Sequence, residues 1–372
     1  MQNKNYSKQM LMIAGIIFAA VIIGMIFIQN RDVDTDFTAK TTKVGLILTG
    51  GKDDANFCQA HYDGLMSIKD ELNLEIICRD NIPEDETCAR VLKELVDDQG
   101  CDIVIGASFG YGPYITEMAK LHPDIYFIHP FGNEKLTNLT SCMGRMYQAR
   151  YLSGIVAGMK TQSGKIGYVA AFPNSEVIRD INAFTRGIRT VSPDAEVYVR
   201  YCNSWVADDA AESASKKLFA DRPDIDVISV HTNSLVPNRM AESKGIWSVG
   251  YNMDNAEIFP KSYLAACEWH WDVYYRPKIL SCLQGKFYGT VEWMDMESGV
   301  LGLSELTDNA VPGTKEAVAK AEKGFANRSF DVFYGPVIDN TGVLRVPEGE
   351  SMSDDDLMSN FEWYVEGVTV EE

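Results

Sequence analysis

Short buried strands alternate with helices twice along this chain, and that repetition limits the fold more than any other feature. In the first half, strands are expected at Val44–Leu48, Leu74–Arg79, Ile103–Ile105 and Ile125–His129. Helical patterns lie between them at His61–Leu72, Glu84–Gln99 and Tyr114–Leu121, and one more helix covers Arg150–Thr161. The pattern restarts after Ser163-Gly164. Strands follow at Lys165–Ala170, Glu196–Tyr201, Val227–Val230 and Trp247–Tyr251, with helices at Val177–Thr190, Asp209–Ala220 and Pro237–Lys244. Such alternation builds parallel sheets with helices on both faces. The expectation is an α/β protein of two lobes with a cleft between them. The carboxyl ends of both sheets should face that cleft, where ligands of open α/β sheets bind.

The segments outside this pattern differ in character. After Lys4 and Lys8 the chain is apolar from Met10 to Ile28, long enough for a bilayer-spanning helix. The acidic Asp32–Asp36 stretch should then lie outside the cell. No small-x-small cleavage site precedes Gln29, so an uncleaved anchor is favoured over a cleaved signal. At the other end, FDVFYGPVIDNTG is expected to form a hairpin turning at Asn340-Thr341-Gly342. An acidic helix from about Ser353 to Val365 should follow. The net charge of −19 argues against nucleic-acid binding, which favours a basic surface. None of the eight cysteines forms a CxxC pair, which argues against structural zinc. Most are expected to be reduced and buried, as small hydrophobes.

Catalytic motifs are sparse. The first strand runs into Gly50-Gly51-Lys52-Asp53-Asp54, which has neither dinucleotide nor P-loop spacing. Two adjacent carboxylates there would also repel a phosphate. They better suit the positive end of the following helix. Gly106, Ser108 and Gly110 match GxSxG, and His122, His129, His231 and His270 follow. A serine hydrolase is therefore a minor alternative, weakened because the nucleophile elbow belongs to one larger sheet. No metal-ligand spacing is evident. Aromatic and polar residues recur just past strand ends instead. The first half offers Phe57, Phe109 and Tyr111. The second offers Trp205, His231, Thr232, Asn233, Asn252 and Asp254, and then Trp269 after a further strand. Aromatics on two sides of a cleft can sandwich a flat ring, while Asn, Asp and His read its edge.

Taken together, GGKDDANF, RYLSGIVAGMKTQSGKIGYVAAFPNSEVIRDINAFTRG, NSWVADDAAESASKKL, HTNS, GYNMD and WHWDVYY resemble the basic membrane protein family of ABC-transporter substrate-binding proteins. The resemblance covers nearly all of the chain after the apolar segment. It implies the periplasmic-binding-protein type I fold: two Rossmann-like lobes joined by a hinge that the chain crosses several times. The expected boundaries are 1–41 for the anchor and linker and 42–160 for lobe 1, with a return near 268–290. Lobe 2 is expected at 161–267 with a return near 291–330, and the C-terminal hairpin and helix at 331–372. The resemblance also implies a purine ligand, an ABC permease and ATPase as partners, no cofactor, no catalysis, and an extracytoplasmic location. By resemblance Phe57 matches a base-stacking phenylalanine and Trp205 the opposing aromatic. Nucleoside-binding members hold the ribose with an Asp and a Lys. Here the first position is Asn252, the second falls near Trp269, and no lysine lies between Leu264 and Arg276. A bulky Trp269 would fill the space of a ribose, so the chain is more similar to a tryptophan-rich branch in which some members bind adenine. Cys58 stands where the family usually has an Asn. A purine nucleoside receptor and a membrane-tethered sensor are the alternatives.

Overall fold

The computed structural model describes residues 41–371. The expected anchor, Met10–Ile28, lies outside the described residues. Among the described residues no helix is long and apolar enough to cross a membrane.

Two sheets form the core. The first half supplies β1 (Thr42–Leu48), β2 (Leu74–Arg79), β3 (Ile103–Ala107), β4 (Tyr126–Pro130) and β5 (Leu139–Gly144). With β11 (Val291–Met294) these make a six-stranded sheet of order β2-β1-β3-β4-β5-β11, with every neighbour parallel. Helices α1 (Phe57–Ser67), α2 (Glu86–Lys93) and α3 (Gly112–Leu121) connect the strands. Strands β1 and β3 are buried almost throughout, as expected where helices cover both faces. The second half supplies α4 (Met146–Lys160), β6 (Lys165–Ala170), α5 (Ser175–Val191), β7 (Glu196–Tyr201), α6 (Asp208–Asp221), β8 (Val227–His231), α7 (Val236–Lys244), β9 (Trp247–Asn252) and β10 (Tyr263–Trp269). Its seven-stranded sheet has the order β12-β10-β9-β8-β6-β7-β15, where β12 is Leu301–Leu303 and β15 is Val368–Val370. Only β12 runs antiparallel to its neighbour.

The chain passes between sheets at three places, and these correct the expected boundaries. Helix α4 follows β5 directly and packs along α5, so lobe 2 begins near Arg145 rather than after 160. Glycines decide this packing. A Cβ on Gly154 would lie 2.1 Å from the Phe184 carbonyl oxygen, and one on Gly187 would lie 2.0 Å from that of Tyr151. The two helix backbones can approach this closely only because both residues lack a side chain. The second passage falls between β10, in the second sheet, and α8 (Trp271–Leu283), which packs on α1. The third falls between β11, in the first sheet, and β12, in the second. The stretch 291–294 thus belongs to lobe 1, not to the expected return into lobe 2.

The C-terminal region also differs from expectation. A short hairpin forms from β13 (Val337–Ile338) and β14 (Leu344–Val346) as predicted. Helix α10 is only Asp354–Ser359, after α9 (Thr314–Ala326). The chain then runs extended because Phe361 is fully buried, stacked on Trp363 at 4.6 Å and against Phe333 at 5.0 Å. Asn182 on α5 donates to the Trp363 carbonyl (2.8 Å) and accepts from the Val365 amide (2.9 Å). Those backbone bonds replace the helical ones that residues 360–365 would otherwise form. All eight cysteines are unpaired; seven are buried and Cys78 is partly so.

Candidate functional site

A cavity of about 620 Å³ lies where the carboxyl ends of the two sheets meet. Lobe 1 lines it with residues just after or at the ends of its strands, including Thr49, Ser108, Phe131 and Met143. Lobe 2 does the same with Phe172, Asn203, Asn233 and Tyr251. Six aromatic side chains face it: Phe57, Phe109 and Phe131 from one lobe, Phe172, Trp205 and Tyr251 from the other. Among the described residues, the only ionisable carboxylates in the lining are Glu84 and Glu176, and no Lys, Arg or His lines it.

The loop after β1 is built around Asp54. Its carboxylate accepts from the Asn56 (2.8 Å), Cys58 (3.1 Å) and Gln59 (2.9 Å) amides. These are the otherwise unpaired N–H groups of the α1 N-terminus, so Asp54 serves the helix. Phe57, the first residue of α1, is set at the cavity edge and packs on Phe131 at 5.3 Å and on His61 at 4.7 Å. Phe131 is held at φ 66, a left-handed conformation rare for a bulky residue, with its amide bonded to the Cys142 carbonyl (2.7 Å). Such strain concentrates at functional sites. Phe109 is 68% exposed at the cleft lip. Behind it the Ser108 hydroxyl donates to Glu84, which also accepts from the Gly110 amide (2.9 Å). His129 bonds the Ser108 carbonyl (2.8 Å), not its hydroxyl. The GxSxG serine therefore has a carboxylate partner and no histidine base, which removes the hydrolase alternative.

The lobe 2 face rests on buried charge. Arg150, Asp180 and His231 are completely buried, and Arg179 nearly so. Arg150 donates to the Val230 carbonyl (2.9 Å), lies 3.6 Å from Asp180, and stacks 4.1 Å from the Tyr251 ring centre. Neither Asp180 oxygen has a hydrogen-bond partner. Burial pushes Asp180 up to about 7, against the pull of Arg179 and Arg150. Glu176, partly buried at the start of α5, is raised for the same reason. His231 accepts or donates to the Tyr168 hydroxyl through Nδ1 (3.1 Å) and meets Trp205 edge-on at 5.8 Å. Burial, with Arg150 and Arg179 nearby, holds its imidazole well below the usual value and therefore neutral.

Of the residues anticipated from the sequence, Phe57, Phe109, Trp205 and Asn233 line the cavity. The other six do not. Thr232 is buried, its hydroxyl bonded to the Trp205 carbonyl (2.9 Å). Tyr111 is in the lobe 1 core, its hydroxyl bonded to the Ile82 carbonyl (2.6 Å). His231 lies beneath Trp205 as support. Asn252 is fully buried, with its amide nitrogen bonded to Asn56 (2.6 Å) and Asn233 (3.0 Å). Asp254 is exposed and only caps the Ala256 amide (2.9 Å). Trp269 stacks on Trp271 at 4.9 Å and meets Phe131 edge-on at 5.4 Å, so it backs a lining residue without lining the cavity. Glu84, Phe131, Asn174, Glu176 and Tyr251 were missed. Glu176 and Asn174 had one available signal, their position just past β6. Phe131 had the same signal, since it directly follows β4.

Residues 41–332 match the Bmp family, ABC transporter substrate-binding protein PnrA-like. That span exceeds half of the chain, and the chain belongs to this family, whose members bind rather than transform their ligands. A Haloferax volcanii protein named for glucose binding by an ABC transporter is 35% identical over 267 residues, 72% of this chain and 65% of the relative. The match thus spans slightly less than two thirds of that relative's length. A purine-binding protein of Brucella abortus is 28% identical over 328 residues, 88% of this chain and 92% of the relative. The crystal structure of a transcriptional activator of the comK gene from Bacillus halodurans superposes with a TM-score of 0.68 at 22% identity, over 77% of this chain and 99% of that one. A solute-binding protein from Conexibacter woesei superposes at 0.64 with 17% identity, over 78% and 98%. These likenesses show the fold, which is of the periplasmic-binding-protein type I kind, as the resemblance implied.

Proposed function

We infer that the protein is an extracytoplasmic receptor that closes its two lobes on a purine nucleobase, with adenine the favoured ligand. The observation that carries this is the cavity lining: Phe57 and Trp205 come from opposite lobes, four more aromatics surround them, and no cationic side chain is present. Stacking between aromatic faces suits a flat heterocycle. Glu84, Glu176 and the asparagine amides offer acceptors for ring and exocyclic N–H groups. A phosphorylated ligand would meet two carboxylates and no counter-charge, which disfavours nucleotides. The purine-binding relative from Brucella abortus supports the same ligand class.

Delivery to an ABC permease and ATPase, and tethering at the outer membrane face by residues 1–41, complete the proposal. A nucleoside receptor or a membrane-tethered sensor would use the same cleft. Glucose, the ligand in the name of the Haloferax volcanii relative, is the competitor from another chemical class. The aromatic-rich lining favours a base over a sugar, whose many hydroxyls each need a partner. Titration calorimetry with adenine, guanine, adenosine and glucose tests the assignment. Adenine should bind tightest. Tight glucose binding with no response to purines would overturn the ligand class, and a nucleoside preferred over its base would overturn the nucleobase assignment.

A further inference from the structure

Asn252 ends β9 in lobe 2 with φ 71, a left-handed conformation that asparagine tolerates better than most residues. Its side chain is buried in the floor of the cleft. An amide nitrogen carries two protons, and both are used: one goes to Asn56 Oδ1 of lobe 1 (2.6 Å) and one to Asn233 Oδ1 of lobe 2 (3.0 Å). Its Oδ1 is buried with no partner. A side chain with its donors spent on protein and its acceptor shut off from solvent is poorly suited to reading a ligand.

The two ends of this chain of amides lead to the two stacking aromatics. Asn56 directly precedes Phe57 and accepts the Ala60 amide in the first turn of α1 (2.9 Å). Asn233 donates its backbone N–H to the Trp205 carbonyl (2.7 Å), and Thr232 adds its hydroxyl to the same oxygen (2.9 Å). An unbroken path therefore runs from Phe57 through Asn56, Asn252 and Asn233 to Trp205.

We propose that Asn56, Asn252 and Asn233 form an inter-lobe latch, in which Asn252 is a positioning residue that fixes Phe57 and Trp205 relative to one another and makes no contact with ligand. The latch sits beside the cavity, and Asn233 is its one member that lines it. Contact between ligand and Asn233 is thereby transmitted to lobe 1. The inference rests on the lobe-closing reading above, and not on which ligand is bound.

The chemistry predicts an asymmetry that a simple packing role would not give. Asn252→Ala removes the shared donor, so both bonds are lost. Asn56→Ala removes one acceptor and leaves the bond to Asn233. The experiment places one fluorophore on each lobe and measures the distance distribution by energy transfer without ligand, and then the off-rates of adenine, adenosine and glucose. In Asn252→Ala the ligand-free distribution should broaden toward longer separations. Off-rates for each of these that binds should rise by about tenfold or more, the effect of losing two neutral hydrogen bonds. Asn56→Ala should show a smaller broadening, and it decides the matter if Asn252→Ala does not fold. An unchanged ligand-free distribution in Asn252→Ala, with weaker binding confined to ligands carrying one particular edge group, would overturn the latch and make Asn252 a ligand reader. Failure of purines to bind would leave the ligand-free measurement intact, so the two readings fail separately.

Discussion

The two faces of the cleft do similar work on different foundations. On the lobe 1 side, Phe57 and Phe131 rest on an aromatic stack: Phe131 meets Trp269 and Trp271 edge-on, and His61 stacks on Trp271 at 4.1 Å. On the lobe 2 side, Trp205 and Tyr251 rest on His231 and Arg150, which belong to a buried charged cluster. An apolar foundation holds a ring by close packing, which tolerates substitutions of similar volume. A charged one holds it by hydrogen bonds and paired charges, and fails abruptly when one partner is removed. Lobe 1 is therefore the more tolerant face and lobe 2 the more exacting one.

The largest expected effect tests that contrast directly. Arg150→Ala should lower stability by about 3–5 kcal/mol, because it leaves Asp180 buried with Arg179 alone beside it and removes the bond to the Val230 carbonyl. His61→Phe on the opposite face should cost far less, about 1–3 kcal/mol, chiefly for stranding the Tyr275 hydroxyl now bonded to His61 at 2.6 Å. Urea denaturation of both variants checks the order. Equal losses would erase the distinction between the two foundations.

Next in size are the stacking residues. Trp205→Ala should weaken adenine binding by about 1–3 kcal/mol, the usual worth of one base–aromatic stack. Phe57→Ala should fall in the same range, since each ring supplies one side of the sandwich. Calorimetry on both variants sharpens the comparison, and a large loss for only one would show a one-sided platform instead.

A separate effect should appear in the pH dependence of stability. The carboxyl of Asp180 is raised from 3.8 to about 7 by burial, so the folded protein holds a proton there that the unfolded chain releases. Its contribution to stability therefore declines as pH rises through that window. His231 and His61 act in the opposite sense. Burial holds both well below 6.5, so the stability they support is lost as pH falls below that value and only the unfolded chain protonates. Asp180→Asn removes the first contribution alone. The variant should gain stability relative to wild type between about pH 4 and pH 7, as followed by urea midpoints across that range. A difference independent of pH would mean that Asp180 titrates at an ordinary value.

The smallest expected effect lies at the hinge side of lobe 2. Arg145 forms a two-pronged pair with Asp354 (2.9 and 2.6 Å) and stacks 3.8 Å from Trp293. Asp354 is 59% exposed, so Asp354→Ala should cost less than about 1 kcal/mol in thermal or urea unfolding. A larger loss would show that exposed charge near the hinge carries as much weight as the buried cluster.

Much of this was legible in the sequence, and the limits follow a pattern. The strand–helix alternation located both sheets because strands buried on two faces are continuous apolar runs, as in Val44 to Leu48 and Val227 to Val230. Phe109, Trp205 and Asn233 were found because they lie within a few residues of strand ends, and Phe57 because it opens the helix after the first strand. Tyr111 and Asn252 lie there as well, yet the fold turns both inward. Distance from a strand end is a property of sequence; the direction of a side chain at a turn is set by φ and by neighbours. Strand β5 was missed because Leu139–Gly144 contains Thr140, Ser141 and Gly144 in a run with little apolar signal.

By itself the sequence determined the α/β class, the two-lobed repeat, and the aromatic and polar residues gathered just past the strand ends. Those properties depend on local periodicity and on composition. Only the tertiary structure decided which lobe α4 belongs to and that Asn252 bridges the lobes. Each of these depends on contacts between residues far apart in the chain: Gly154 with Phe184, and Asn252 with Asn56 across 196 positions. Hydrogen-bond partners and close approaches are chosen by the folded backbone, which no local pattern encodes.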